Sequence, residues 1–154
     1  MTRALISLLL AISLVSPASA TYCDSDEDVT AVVAFISSDD EFRDYLCGDA
    51  ACTKEEIGTR IDIRAETVNG KDVSVCLATP KQAGRNIYTA VLIRTPTAIY
   101  PEFVFFGSGI GPAKRTTNGY SDLVGTEIGD KGVATRTVFT WNGKHYIAKP
   151  INRH

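Results

Sequence analysis

The sequence predicts an α+β fold: short disulfide-stapled N-terminal helices followed by an antiparallel β-meander of about six or seven strands. Three observations carry that expectation. Apolar residues recur at helical spacing in the front of the chain and alternate with a period of two from about Arg60 onward. Asn-Gly pairs at residues 69-70, 118-119 and 142-143 supply the positive φ angles of tight hairpin turns. The four cysteines, Cys23, Cys47, Cys52 and Cys76, all lie in the first half of the chain that follows the leader.

Met1 to Ala20 reads as that leader. Arg3 supplies a short basic region, Ala4 to Val15 an apolar run, and Ala18 and Ala20 the A-x-A pattern of a signal peptidase site. The run is too short for a membrane span and is broken by Ser13, Ser16 and Pro17. The expectation is a cleaved signal peptide at 1–20 with no membrane anchor after cleavage. A single α+β domain then occupies 21–154, with a helical segment at 25–57 and a sheet segment at 60–149. Its location is periplasmic, or alternatively secreted.

Export accounts for an even set of cysteines, which persist as disulfides in oxidising compartments. Three connectivities are possible. No C-x-x-C is present, which argues against a zinc site.

The first helix follows from Val29, Val32, Val33 and Ile36 on one stripe, with Ser25 as N-cap and acids at 26–28 where the helix dipole favours them. Ser38 and Glu41 match a capping box for a second helix carrying Phe42, Tyr45 and Leu46, stopped by Gly48. Thr53 and Glu56 repeat the box over a third, very short turn. Asp24, Asp26 and Asp28 imitate the start of a calcium loop. The sixth and twelfth positions of that loop hold Val29 and Phe35, which excludes an EF-hand.

Strand patterns follow. Ile61, Ile63 and Ala65 alternate with Asp62, Arg64 and Glu66, and Val73, Val75 and Leu77 form the return strand, with Cys76 on its opposite face. A bridge at Cys76 would therefore tie the helical segment to one face or edge of the sheet. Further strands are expected at Ile87 to Arg94, at Ile99 to Phe106 (apolar enough to be central and covered on both faces), at Tyr120 to Ile128, at Val133 to Trp141 and at His145 to Lys149. Gly107 to Arg115 matches neither phosphate-loop pattern and reads as a mobile loop ending in two cations.

The composition, 44% hydrophobic and 22% charged over 154 residues with a net charge of -2, is that of an ordinary globular chain. Near-neutrality speaks against a nucleic-acid binder, and two histidines against a His-rich metal site. The charge is unevenly divided, however. Residues 21–59 hold eleven acids against Arg43 and Lys54, whereas residues 60–154 hold thirteen Lys or Arg against seven acids. A catalytic reading finds little support. No G-x-S-x-G elbow exists, the histidines are His145 and the terminal His154, and the cysteines are expected to be oxidised. No cofactor is implied.

Two segments add a resemblance. Thr116-Thr117-Asn118-Gly119-Tyr120-Ser121-Asp122-Leu123, followed by Phe139-Thr140-Trp141-Asn142-Gly143-Lys144-His145-Tyr146-Ile147, resembles the terminal β-unit of small exported bacterial immunity and lysozyme-inhibitor-like proteins. The resemblance, over residues 116–147, implies a β-rich protein that works by binding a toxin or cell-wall hydrolase. Some members hold calcium near the equivalent turn, where Asn118 and Asp122 match, two oxygen ligands against the six to eight that calcium prefers. The resulting expectation is a periplasmic inhibitor, monomer or homodimer, that blocks a protein partner's active site without catalysis. Gly109, Ile110, Lys114 and Arg115 would enter the partner's cleft, and Tyr100 and Tyr120 would act as aromatic anchors. A periplasmic small-ligand carrier and an unrecognised hydrolase are the alternatives.

Overall fold

Local chemistry sets the three helices at the front of the chain. The computed structural model describes Cys23 and residues 25–48, 52–67, 73–82, 84–95 and 97–150. The leader at 1–20, the Asn69-Gly70 turn and His154 lie outside them. Helix α1 runs Asp26–Ser38 with the Ser25 hydroxyl accepting from the Asp28 backbone N–H, and buries Val32, Val33 and Ile36. Helix α2, Asp40–Cys47, begins only two residues later. Its cap is Asp39, which accepts from the Phe42 N–H at 2.7 Å, and not the expected Ser38. Ser38 is still the last residue of α1, and its hydroxyl donates back to the Phe35 carbonyl. Gly48 at φ 66° closes α2, a left-handed conformation suited to glycine. Thr53 and Glu56 form the expected capping box of α3, Lys54–Arg60. The backbone and hydroxyl donors of Thr53 hold the Glu56 carboxyl below its usual range.

Among the described residues eight strands follow, one more than the expected upper limit, in two antiparallel sheets instead of one. The first sheet orders β1 (Ile61–Thr67), β2 (Ser74–Pro80), β3 (Ile87–Arg94) and β4 (Ile99–Gly107). The second orders β5 (Gly109–Thr117), β6 (Tyr120–Ile128), β7 (Ala134–Trp141) and β8 (Tyr146–Pro150). The α+β class holds.

Alternation within β2 and β3 divides the interior into two cores. Cys76, Ala78, Ala90 and Leu92 face the helices, where they meet Val32, Ile36, Phe42, Leu46 and Ile57. Their neighbours Val75, Leu77, Val91 and Ile93 face the second sheet and meet Ile110, Leu123, Phe139, Trp141 and Tyr146. The molecule is thus layered helix, sheet, sheet, with the first sheet apolar on both sides. This makes β2 and β3 the central strands, whereas β4 lies at an edge. Its apolar run serves both faces: Val104 packs toward the helices, and Phe103 stacks on Phe139 with ring centroids 4.6 Å apart.

The expected mobile loop at Gly107 to Arg115 is instead a corner and a strand. Only Ser108 separates β4 from β5, and its N–H donates to Thr126 as the chain passes between sheets. A side chain at Gly107 would collide with the Phe105 ring and the Thr126 carbonyl. Glycines that looked like flexibility therefore mark a close approach. Pro112 is tolerated because β5 is an edge strand.

Two disulfides join Cys23 to Cys76 and Cys47 to Cys52. The first ties the chain ahead of α1 to the helix-facing side of β2, as the strand alternation required. The second closes the short link between α2 and α3. Asp28, buried in the first turn of α1, is also bound across this interface by Arg94 Nε of β3 at 2.7 Å. Disulfides of this kind suit an oxidising, exported compartment. Among the described residues, no helix is long and apolar enough to cross a membrane.

Candidate functional site

At one end of the interface between the sheets, a pocket of about 390 Å³ opens to solvent. Val73, Ile93, Thr95, Tyr100, Pro101 and Glu102 of the first sheet and its connections line one side. Tyr120, Trp141, Lys144 and His145 of the second line the other.

Backbone irregularities place the polar members. Leu92 pairs with Pro101 and Val91 with Phe103, so Glu102 is an extra residue bulged out of the β3–β4 ladder. A bulge re-aims its side chain. Here it sends the carboxylate across to the β7–β8 hairpin, where Oε1 accepts from the Tyr146 backbone N–H at 2.6 Å and Oε2 lies 3.3 Å from His145 Nδ1. The Glu102 side chain is only 5% exposed, against 71% for His145. The hairpin is shaped by Asn142, whose Oδ1 accepts from the N–H groups of Lys144 and His145, and by Gly143 at φ 109°.

The aromatic wall is equally determined by turn chemistry. Asn118 at φ 53° and Gly119 at φ 79° form the two-residue turn from β5 to β6, both in the left-handed region. Asn118 Nδ2 donates to the Trp141 carbonyl at 2.9 Å, which fastens this turn to the end of β7. Tyr120 then stacks on Trp141 with centroids 4.7 Å apart, and Tyr146 meets Trp141 edge-on at 5.2 Å. Beneath them the Tyr146 hydroxyl donates to the Ser121 carbonyl. Burial, with Asp122 and Glu102 nearby, holds the Tyr146 proton far above the usual phenol range.

The six residues expected to contact a partner separate in space. Tyr100, 52% exposed, and Tyr120 both line the pocket. Gly109 and Ile110 follow the corner at the far end of β4, roughly 20 Å from Tyr100 at the usual strand rise, and the Ile110 side chain is buried between the sheets. Lys114 and Arg115 stand exposed on the edge strand β5, where Arg115 Nε lies 3.2 Å from Asp122 Oδ2. The two matched calcium positions supply one carboxylate between them. Asn118 points an amide nitrogen at Trp141, Arg115 Nε lies 3.2 Å from Oδ2 of a fully buried Asp122 whose two oxygens have no hydrogen-bond donor, and among the described residues no three His, Cys, Asp or Glu converge.

Comparison with protein-family models, with curated proteins and with solved structures found no match. Function must therefore be argued from the pocket itself. Sequence reasoning named only two of its residues. Trp141, Lys144 and His145 stood in the aromatic-x-W-N-G-K-x-Y hairpin, whereas the signal for Glu102 was the break that Pro101 and Glu102 make in the apolar run of Ile99 to Phe106, since a proline within a strand marks an edge or a bulge.

Glu102 and His145 have the orienter-and-base form of a hydrolytic site. No lining residue is Ser or Cys, and the Thr95 hydroxyl both donates to the Ala98 carbonyl and accepts from its N–H.

Proposed function

We propose that this chain is an exported, non-catalytic inhibitor or immunity protein that binds a secreted toxin or peptidoglycan hydrolase in the periplasm. One observation carries the reading: Tyr100, Tyr120 and Trp141 gather around an open pocket with Pro101. Aromatic side chains bury large area at low entropic cost and dominate the energetics of protein interfaces. The two disulfides and the signal-like leader support export. The contact face moves from the expected loop to this pocket, with Lys114 and Arg115 as a charged flank.

Affinity capture of secreted and periplasmic proteins on the oxidised protein should isolate a partner. Tyr100→Ala should then weaken its binding by at least about tenfold, the size of an interface hot spot. Unchanged affinity in this variant overturns the reading. Lys114→Ala tests the flank separately, without stripping Asp122 of its ion pair.

The cavity volume supports a second reading, a small-ligand carrier, since it falls within the range of ligand pockets. Native mass spectrometry separates the two: a small molecule that co-purifies with the protein and is lost on Tyr100→Ala favours the carrier.

A further inference from the structure

We propose that the pocket receives a cationic side chain of the protein partner, a guanidinium in preference to an ammonium, seated against Trp141 and Tyr120 and paired with Glu102. The inference rests on the pocket being the binding face and adds what enters it.

Charge decides between classes of occupant. The Glu102 carboxylate lies in a largely apolar wall with almost no exposure of its own, yet each oxygen has only one partner and keeps a further lone-pair site. The Tyr146 N–H carries no formal charge. His145 is charged only when protonated and is itself mostly in solvent. An apolar occupant would strip the remaining water from this carboxylate and supply nothing in exchange, a neutral donor would return a hydrogen bond without a charge, and an anion would be repelled by it. A cation gains the carboxylate in a setting of reduced dielectric.

Ring chemistry points the same way. Trp presents the most strongly attracting face for a cation, followed by Tyr, and a planar guanidinium stacks on such faces while donating in its plane. Both rings line the cavity, stacked on each other with Trp141 9% exposed, so a cation meets the faces they leave uncovered, beside the more exposed Tyr100. Lys144, on the exposed hairpin turn, lines the same cavity and competes with an incoming cation.

Trp141 is the single tryptophan of the chain, so its fluorescence reports on this pocket alone. The oxidised protein is titrated with acetyl-Gly-Arg-Gly-amide, with the same peptide carrying citrulline, a neutral isostere of arginine, and with the Glu counterpart. The expected result is saturable binding of the arginine peptide, about tenfold or more weaker binding of citrulline, and no binding of the Glu peptide. Glu102→Gln retains an acceptor for the Tyr146 N–H and should abolish the preference for arginine, whereas Lys144→Ala should tighten the arginine peptide. Equal affinity for arginine and citrulline, retention of the preference in Glu102→Gln, or no response to any peptide overturns the proposal. If Tyr100→Ala still weakens the captured partner, the pocket remains the binding face and only the cation is wrong. If the cation preference appears but the partner ignores Tyr100→Ala, it is the inhibitor reading that falls.

Discussion

Gly125 lacks a side chain because the Phe105 ring occupies the space one would fill. Gly125→Ala should therefore overpack the core between the sheets and lower stability by about 1–3 kcal/mol, read from urea denaturation. Glu102 is constrained differently. Its carboxylate satisfies the backbone N–H of Tyr146, and Glu102→Ala would leave that donor orphaned at a cost of about 1–3 kcal/mol, while Glu102→Gln should cost less. Tyr146 supplies a pH dependence. Its phenol is held protonated in the folded state by burial, so its native value lies above the unfolded value of roughly 10. A raised value means that its stabilisation is complete below about pH 10 and is lost as pH climbs toward the native value, because only the unfolded chain then releases the proton readily. Tyr88, raised mainly by its hydrogen bond to Glu41, acts in the same direction. Tyr146→Phe should flatten the alkaline fall in stability measured by denaturation between roughly pH 9 and 11.

Elements differ in how much of their position is local. Helix α3 was legible to the residue at its start, since Thr53 and Glu56 complete a capping box without outside help. The start of α2 shifted by one residue because α1 extends through Ser38, whose hydroxyl donates back to the Phe35 carbonyl and leaves the cap to Asp39. β5 was missed altogether: Gly109, Gly111 and Pro112 obscure the alternation, and only pairing with β6 makes the segment a strand. The disulfides are also unequal as elements. Cys23–Cys76 closes a separation of 53 residues and Cys47–Cys52 one of 5. In the chain-entropy account, removing the first should cost about 4 kcal/mol and removing the second about 2. Denaturant midpoints of the paired Cys→Ala variants test that order. Equal losses would mean that native-state effects, not loop length, set the contribution of each bridge.

The whole molecule turns on β2 and β3, which contribute opposite faces to two cores. Neither core survives without the first sheet, so the helical layer and the second sheet should unfold together. Far-UV circular dichroism, dominated by the helices, and Trp141 fluorescence, from the second core, should give coincident urea transitions. Separate transitions would show that the layers are energetically independent. This arrangement explains why β2 and β3 read as nearly continuous apolar runs, although the sequence alone suggested one meander with a single buried strand at Ile99 to Phe106.

Short-range physics, complete within a few neighbouring residues, determined the caps of α1 and α3, the Asn118-Gly119 turn, the alternation that sets Cys76 apart from Val75 and Leu77, and the α+β class. Each depends on side chains and backbone groups that meet within one turn or one hairpin. Tertiary structure alone decided the division into two sheets, the pairing of Cys23 with Cys76, and the meeting of Glu102 with His145 and Tyr146 across more than forty residues. The pocket belongs to this second class. Its walls come from strands of different sheets, and the bulge at Glu102 carries a carboxylate from one sheet across to the hairpin of the other, a meeting that no run of neighbouring residues encodes.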